Sequence, residues 1–369
     1  MATDPYAVDI EACRARQHRL LQAIEALEAD FALLGRRETI QWLTGLHVRY
    51  PFEPIAVLRA DGHLTLVVPD RQVEERCAAD KIFGYEAKWH STTRDEQLAA
   101  SSAVVLEKIT ERPSRVACEF EAFAPHLLLG WNSTLLEIDA VVFDLRRRKD
   151  ADEIRLLNRA NEANRAMYER GRKIVRPGAV ELDIYSELYS VAVHTLGEPP
   201  TYFGQDFRSN ARGGAPRNRQ IEAGDTMILD LGVGFRGYHS DNARTLAVSG
   251  EPTEKQQQAW TAAAGVFDII QTQAKPGVKC HALFDAAQKH LDQSLPWIFN
   301  HHLGHGVGLA PQEGPHLNPC WNDTLAEGDF IAVEPGLYHE ELQTGVRLEQ
   351  NFLVTADGVQ LMTDWPLGF

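Results

Sequence analysis

The residues with the clearest chemical potential lie in residues 227–245, which read MILDLGVGFRGYHSDNART. An apolar run delivers Asp230, glycines at 232, 234 and 237 supply turn chemistry, and a second short segment delivers Asp241 ahead of Arg244 and Thr245. The pattern predicts a β-hairpin with one carboxylate on each strand. Taken alone, two such aspartates could equally be turn caps. A second segment changes that balance. Residues 221–232 (IEAGDTMILDLG) are echoed by residues 325–336 (LAEGDFIAVEPG), their Gly-Asp pairs 104 residues apart at 224 and 328. Residues 173–178 (KIVRPG) are echoed by 273–277 (QAKPG), their Pro-Gly pairs 99 apart at 177 and 276. Two matched elements in the same order at a nearly constant offset imply a duplicated half-domain. The echo sets Glu334 where Asp230 sits and Glu349, in VRLEQN, opposite Asp241. Four carboxylates then fall at corresponding places in two hairpins, and pseudo-twofold packing brings them together.

Such a cluster is unstable unless it is compensated. Each like-charge pair at ~4 Å costs about 4 kcal/mol even at an effective dielectric of 20. Between the two halves lies a glycine-flanked histidine, His305, in HLGHGVG. A lone histidine in a glycine loop is more often structural, but four converging carboxylates reverse that weighting. One histidine and four acids suit a pair of divalent ions. Oxygen-rich ligation favours manganese, cobalt or iron, with zinc the less suited choice. The five cysteines (13, 77, 118, 280, 320) are scattered without a CxxC pair and contribute nothing to this set.

With these motifs in place, the chain resembles the pita-bread metallopeptidases, the family of methionine aminopeptidase, Xaa-Pro aminopeptidase, prolidase and creatinase. The match runs through Asp230 in DLG, Asp241 in HSDNART, His305 in GHGVG, Glu334 in VEPG and Glu349 in VRLEQ. Residues 40–45 (IQWLTG) resemble the family's N-terminal YLTG segment, pointing to its longer, two-domain members. The resemblance implies a creatinase-like α/β N-terminal domain over residues 1–148. It implies an α+β pita-bread catalytic domain over 149–369, with internal pseudo-twofold duplication. It also implies Asp230 on one metal, Asp241 and Glu349 bridging, and His305 and Glu334 on the other. The reaction it implies is attack of a metal-bridging hydroxide on an amide carbonyl, with Glu334 as general base or proton relay. A homodimer is expected on the same ground.

The chain departs from that family at two pocket histidines. The loop before the first aspartate, residues 201–219, holds none, and ungapped spacing sets Arg212 in the place of one. The other position holds Gln312, followed by Glu313. Neither arginine nor glutamine exchanges a proton near neutral pH, but Arg212 suits a carboxylate and Gln312 a carbonyl or amide. His301 and His302 are the remaining histidines that could replace the missing pair. Tyr238 and Glu313 are further pocket candidates. The loop also carries Arg208, Arg217 and Arg219, either as solvated charges or as an anion-recognition surface. The expected substrate is a small peptide or amide with a free carboxylate. The alternative is a small-molecule relative, a creatinase-like C–N hydrolase or a lyase of the sulfoniopropionate type.

The elements that must position these residues alternate between helix and strand. Residues 10–30 carry apolar side chains at helical spacing, and strands are expected at 31–34 and 116–119. A hairpin is expected at 55–58 and 64–68, and helices at 71–79 and 95–110. The charge run at 146–152 reads as a solvated face, linker or helix entry. Helices follow at 153–174, ended by Arg176-Pro177-Gly178, and at 181–196. At 369 residues with 44% hydrophobic and 24% charged side chains, two ordinary domains are expected. A net charge of −15 excludes a phosphate-binding surface for nucleic acid. The polar N-terminus and the absence of a membrane-length apolar run point to a cytoplasmic protein with free thiols.

Overall fold

The computed structural model describes residues 4–248 and 250–369. The chain divides into two compact units, one ending at Arg146 and the other running from Arg147 to Phe369.

In the first unit, helix α1 (Ile10–Ile24) begins where the Asp9 side chain accepts from the Ala12 N–H. Strand β1 (Phe31–Leu34), helix α2 (Arg37–Thr44), strands β2 (Ile55–Arg59), β3 (Leu64–Pro69) and β4 (Lys81–Tyr85), helix α3 (Gln97–Lys108), strands β5 (Arg115–Cys118) and β6 (Thr134–Glu137), and helix α4 (Asp139–Arg147) follow. The sheet order is β4-β3-β2-β1-β5-β6. The expected hairpin is β2–β3, and β4, β5 and β6 add in parallel. β1 and β3 are buried at every residue, the pattern of strands covered on both faces. The helix expected over 71–79 is not formed; only a 3-10 turn, Asp70–Gln72, is present. The stretch has little apolar surface to bury, and the Ala78 N–H is taken by Thr44 O at 2.8 Å instead of by its own preceding turn.

The second unit opens with helix α5 (Ala151–Ile174), whose first turn is closed by a capping box between Asp150 and Glu153. The charge run before it is not a solvated face. Arg147 pairs with buried Asp329 at 2.7 Å and buried Lys149 with Glu313 at 2.7 Å. Helix α6 (Glu181–Leu196) follows, then strands β7 (Tyr202–Ser209), β8 (Thr226–Phe235) and β9 (Tyr238–Ala247), in the order β9-β8-β7. Helices α7 (Glu254–Gln273) and α8 (Cys280–Leu291) precede strands β10 (Gly304–Gly306), β11 (Glu313–Leu317) and β12 (Phe330–Val333). A short ribbon, β13 (Gly336–Leu337) and β14 (Val346–Arg347), leads to β15 (Gln350–Val354) and β16 (Val359–Leu361). The second sheet has the order β11-β10-β12-β15-β16.

The duplication seen in the sequence is visible in the backbone. Gly178 and Gly277 take φ of +85° and +88°, and their N–H groups donate to Ile221 O and Leu325 O, themselves 104 residues apart. Asp225 and Asp329 each accept from the backbone three residues earlier, at Glu222 and Ala326. Each also takes an arginine at 2.7 Å, Arg219 and Arg147. The two halves meet where Glu349 N donates to Ala243 O at 3.0 Å and Arg347 N to Thr245 Oγ1 at 2.9 Å.

Two local expectations need correction. Gly232 and Gly234 lie inside strand β8, not in the turn, which is made by Arg236 and Gly237 with φ of +48° and +87°. The second carboxylate pair is not carried by a tight hairpin. β12 and β15 pair in register, but the β13–β14 excursion separates Glu334 from Glu349. Among the described residues no helix is long and apolar enough to cross a membrane.

At the start of α6, Glu181 is buried and accepts from the Ser209 N–H and hydroxyl and from the Arg217 guanidinium. Burial pushes its carboxyl up, but those donors outweigh it and hold the pKa at about 2. A depressed carboxylate contributes stability that is complete above its ordinary value near 4.5 and is lost as pH falls towards 2. Glu181→Gln is therefore expected to cost about 2 kcal/mol at pH 7. The difference from wild type should shrink between pH 5 and pH 3 in urea unfolding, and a pH-independent difference would refute the assignment.

Candidate metal centre

Strands β8 and β9 pair over ten residues, setting Gly232 opposite Asp241 and Asp230 opposite Ala243. Residues at period two share a face, so Asp230 and Asp241 project from the same side of the ribbon. Helix α5 fixes the other side. Asn164 Nδ2 donates to Leu231 O at 2.6 Å and the Tyr168 hydroxyl to Leu229 O at 3.0 Å. His305 lies at the centre of β10, Glu334 directly follows β12, and Glu349 directly precedes β15. All five side chains are buried. Asp241, His305 and Glu349 bring ligand atoms within 4.8 Å of one another, and so do His301, His302 and Glu334. His305 Nε2 connects the two groups, 3.7 Å from Asp241 Oδ2 and 3.4 Å from Glu334 Oε1.

The chemistry of this donor set fits cations. His305 Nδ1 donates to the Gly306 carbonyl at 3.0 Å, which leaves Nε2, the ring's other nitrogen, directed at two carboxylates. Among the described residues, Asp230 Oδ1 and both oxygens of Glu349 are buried without a hydrogen-bond partner. Orphaned buried carboxylate oxygens are costly. The site's own cations do not compensate them. Arg347 is divided between Asp206 and Asp230, the latter at 2.9 Å, and His302 serves Glu334 at 2.7 Å. The ionisation pattern reflects the deficit. Burial, with neighbouring acids, pushes Asp230 up to about 6 and Asp241 and Glu349 well above the usual carboxylate range. Burial also pushes Glu334 up, but the bonds to His302 and His305 prevail and hold it well below.

The other residues singled out in the sequence separate into groups. Arg212 is exposed, with its guanidinium carbon 3.8 Å from the centre of the Tyr338 ring and a hydrogen bond to Asn300 Oδ1. His301 Nδ1 donates to His302 O at 2.8 Å, so the Tyr338 hydroxyl donates to Nε2 at 3.0 Å. Both His301 nitrogens are thereby engaged. Burial holds its pKa down at about 4. His302 points its Nε2 at Glu334 and keeps 27% of its side chain exposed. Burial lowers the His302 pKa, but the Glu334 bond outweighs this and raises it. Tyr238 is buried with its hydroxyl 3.2 Å from Glu153, Glu313 is held by Lys149, and Gln312 is exposed. The loop does not form a continuous anion-recognition surface. Arg217 and Arg219 are committed to Glu181 and Asp225, and Arg208 to Ala215 O. Sequence reasoning missed the part of β7 that faces the cluster. Gln205 Nε2 lies 2.9 and 2.8 Å from the two Asp241 oxygens, and Asp206 sits opposite Asp230 in the pairing. No local spacing signalled them, since their placement depends on the pairing of β7 with β8.

Comparison with known proteins agrees with this geometry. The model of metallopeptidase family M24 matches residues 155–356, and that of the creatinase/prolidase N-terminal domain matches residues 16–147. The chain belongs to metallopeptidase family M24. An Xaa-Pro dipeptidase of Pyrococcus horikoshii is 31% identical over 232 residues, 62% of this chain and 65% of that protein, so the match spans just under two thirds of its length. The solved prolidase of Pyrococcus horikoshii superposes with a TM-score of 0.80 at 22% identity, covering 95% of this chain and 99% of that one. The Xaa-Pro dipeptidase of Bacillus anthracis gives a TM-score of 0.80 at 21% identity, over 96% and 98% of the two chains. At such identities these superpositions establish the fold: the α/β N-terminal domain and pita-bread C-terminal domain expected from the sequence.

The unpartnered oxygens make Glu349 the sharpest test of the cluster. After dialysis against a chelator, Glu349→Gln should unfold with a midpoint several degrees above wild type, because the cost of burying an acid among other acids, about 2–4 kcal/mol, is gone. Added manganese should raise the wild-type midpoint and leave the variant nearly unmoved. A variant less stable than wild type in chelator would show that the carboxylates are already compensated from within the chain.

Proposed function

Taking membership of metallopeptidase family M24 as its starting point, we propose that this chain is a dinuclear metal-dependent hydrolase of the Xaa-Pro dipeptidase type. Its substrate would be a short peptide or small amide bearing a free carboxylate. The observation that carries this reading is the cluster of Asp241, His305 and Glu349, with Glu334 beside His305 and Asp230 on the same strand face as Asp241, its buried carboxylate oxygens left unpartnered among the described residues. These five residues would hold two divalent ions, and the oxygen-rich set favours manganese, cobalt or iron. Bound there, such ions supply Lewis acidity towards a carbonyl and lower the pKa of water towards ~7.

The chain's own residues divide the remaining work. Glu334 takes the proton released by the attacking water, and His302, 2.7 Å away and partly exposed, relays it to the leaving amine. His301 orients Tyr338 instead of exchanging protons, since both its nitrogens are engaged. Arg212, packed over the Tyr338 ring and bonded to Asn300, presents its guanidinium to the substrate carboxylate. Gln312 and Glu313 take no part in this scheme. A homodimer belongs to the same reading and rests on the family resemblance, and a cytoplasmic location rests on the polar N-terminal segment and scattered cysteines. A second reading, a small-molecule C–N hydrolase or lyase, draws on the exposed Gln312 and the histidine-free loop.

The test is turnover of a Xaa-Pro dipeptide panel by protein stripped of metal and refilled with manganese or cobalt, with Asp241→Ala as the control for contaminants. Metal-dependent cleavage is expected. Arg212→Ala should raise KM at least tenfold with a smaller change in kcat, and His302→Gln should lower kcat with little change in KM. Two bound ions per chain with no cleavage of any dipeptide would sink the peptidase reading in favour of the second.

A further inference from the structure

Tyr202 opens strand β7 beside the carboxylate cluster, and the metal scheme makes no use of it. Its placement follows from three glycines. Gly204 pairs with Gly232, and Gly232 with Asp241, so these three residues form one row across the three strands. Gly234 pairs with Tyr202 itself. Residues opposite one another share a face, so the bare row lies on the side from which Asp241 projects. The tyrosine ring occupies the space that side chains would have filled. A Cβ on Gly204 would stand 2.5 Å from the Tyr202 hydroxyl oxygen, and one on Gly232 2.9 Å from its ring. A Cβ on Gly234 would stand 2.9 Å from the Tyr202 Cβ. His239 closes the outer side, edge-on to the ring at 5.1 Å. The phenol therefore runs along the strand towards the next row on the same face, Asp206 and Asp230. Burial raises its pKa, and the charges that add to the effect are those of Asp241, Asp230 and Asp206, the acids that this orientation faces.

The other donors aimed at these acids are already used. Arg347 serves Asp206 and Asp230, Gln205 serves Asp241, and His302 serves Glu334. The Tyr202 hydroxyl has no hydrogen-bond partner among the described residues, and the side chain is only partly buried. It is thus a neutral donor held rigidly beside the cluster and reachable from outside. An anionic tetrahedral group drawn to the centre needs such a donor, because the surrounding carboxylates can only accept.

We propose that Tyr202 is a catalytic residue whose hydroxyl donates a hydrogen bond to the oxyanion that forms from the substrate carbonyl. This rests on the hydrolase reading above. It assigns to strand β7 the neutral donor that the histidine-free loop does not supply.

The experiment uses the full chain loaded with manganese and the variant Tyr202→Phe, which keeps the ring in its glycine trough and deletes only the hydroxyl. Manganese content is measured by elemental analysis and affinity for inorganic phosphate, a tetrahedral oxyanion, by calorimetry. kcat and KM are measured on whichever dipeptide the wild type cleaves. The expected result is unchanged manganese content, phosphate affinity down ~10-fold, and kcat down ~10²-fold with KM within about twofold. Loss of manganese in step with activity would overturn the proposal, since the hydroxyl would then act through the ligands. Unchanged phosphate affinity and kcat would overturn it too, as would a wild type that binds manganese but no phosphate. If the wild type binds both ions yet cleaves no dipeptide, the peptidase reading falls, while the phosphate comparison still decides the role of Tyr202.

Discussion

The second unit is arranged around the cost of holding four carboxylates together out of water. Burial and mutual repulsion both act against Asp230, Asp241 and Glu349, and both would be relieved by moving them apart. The backbone does not allow that. Glu349 N donates to Ala243 O, Asn351 Nδ2 to Asp241 O at 2.8 Å, and buried Arg244 reaches the Glu349 carbonyl. These bonds tie the strand that carries Asp241 to the strand that carries Glu349. The side chains are left to face one another, and a divalent cation pair is the simplest charge that satisfies them.

That rigidity comes from duplication. Each half supplies two helices, a glycine turn with φ near +85°, and an Asp that accepts from its own turn and takes an arginine. A half by itself presents two acids on one sheet. Only the pairing of halves closes the set, so assembly of the fold and formation of the site are one event. His305 comes from β10, in the centre of the second half, and is the element through which the two acidic groups touch. The site is therefore asymmetric within a nearly symmetric scaffold. The second half has no simple hairpin at this place, and its β13–β14 excursion brings Tyr338 to His301 and Arg212.

How much of this was legible in the chain depended on whether a residue acts through a repeated pattern or through a contact. Asp230, Asp241, Glu334 and Glu349 announced themselves through the echo, because two copies of a turn constrain each other. Helix α6 was legible to the residue, since its period and its terminating glycine agree. The segment at 71–79 was misread because helix propensity was present without an apolar face. The charge run at 146–152 forms the expected helix entry, with Asp150 capping α5, but it is not a solvated face, because Lys149 is buried against Glu313, 164 residues away. Gln205, Asp206 and Tyr202 were not legible at all. Their roles depend on strand pairing, which sets them beside acids on another strand, and no local spacing encodes that.

The departures from the family's histidines read differently once these contacts are considered together. Three of the four loop arginines are tied to the chain itself, and Arg217, bonded to both Glu181 and Ser209 O, braces the end of β7 against α6. With β7 held in place, Arg212 lies against Tyr338 and Tyr202 lies along its glycine trough. Those two residues divide what an imidazole would otherwise combine. One is a permanent charge suited to a carboxylate, and the other a neutral donor suited to a transient oxyanion. In the proposed scheme, proton exchange then falls to the other side of the cluster, where His302 and Glu334 face each other. Separating charge recognition from proton transfer in this way removes the need for a titrating group on the loop. It also predicts that the loop's tolerance to substitution follows the brace contacts, and not proximity to the acids.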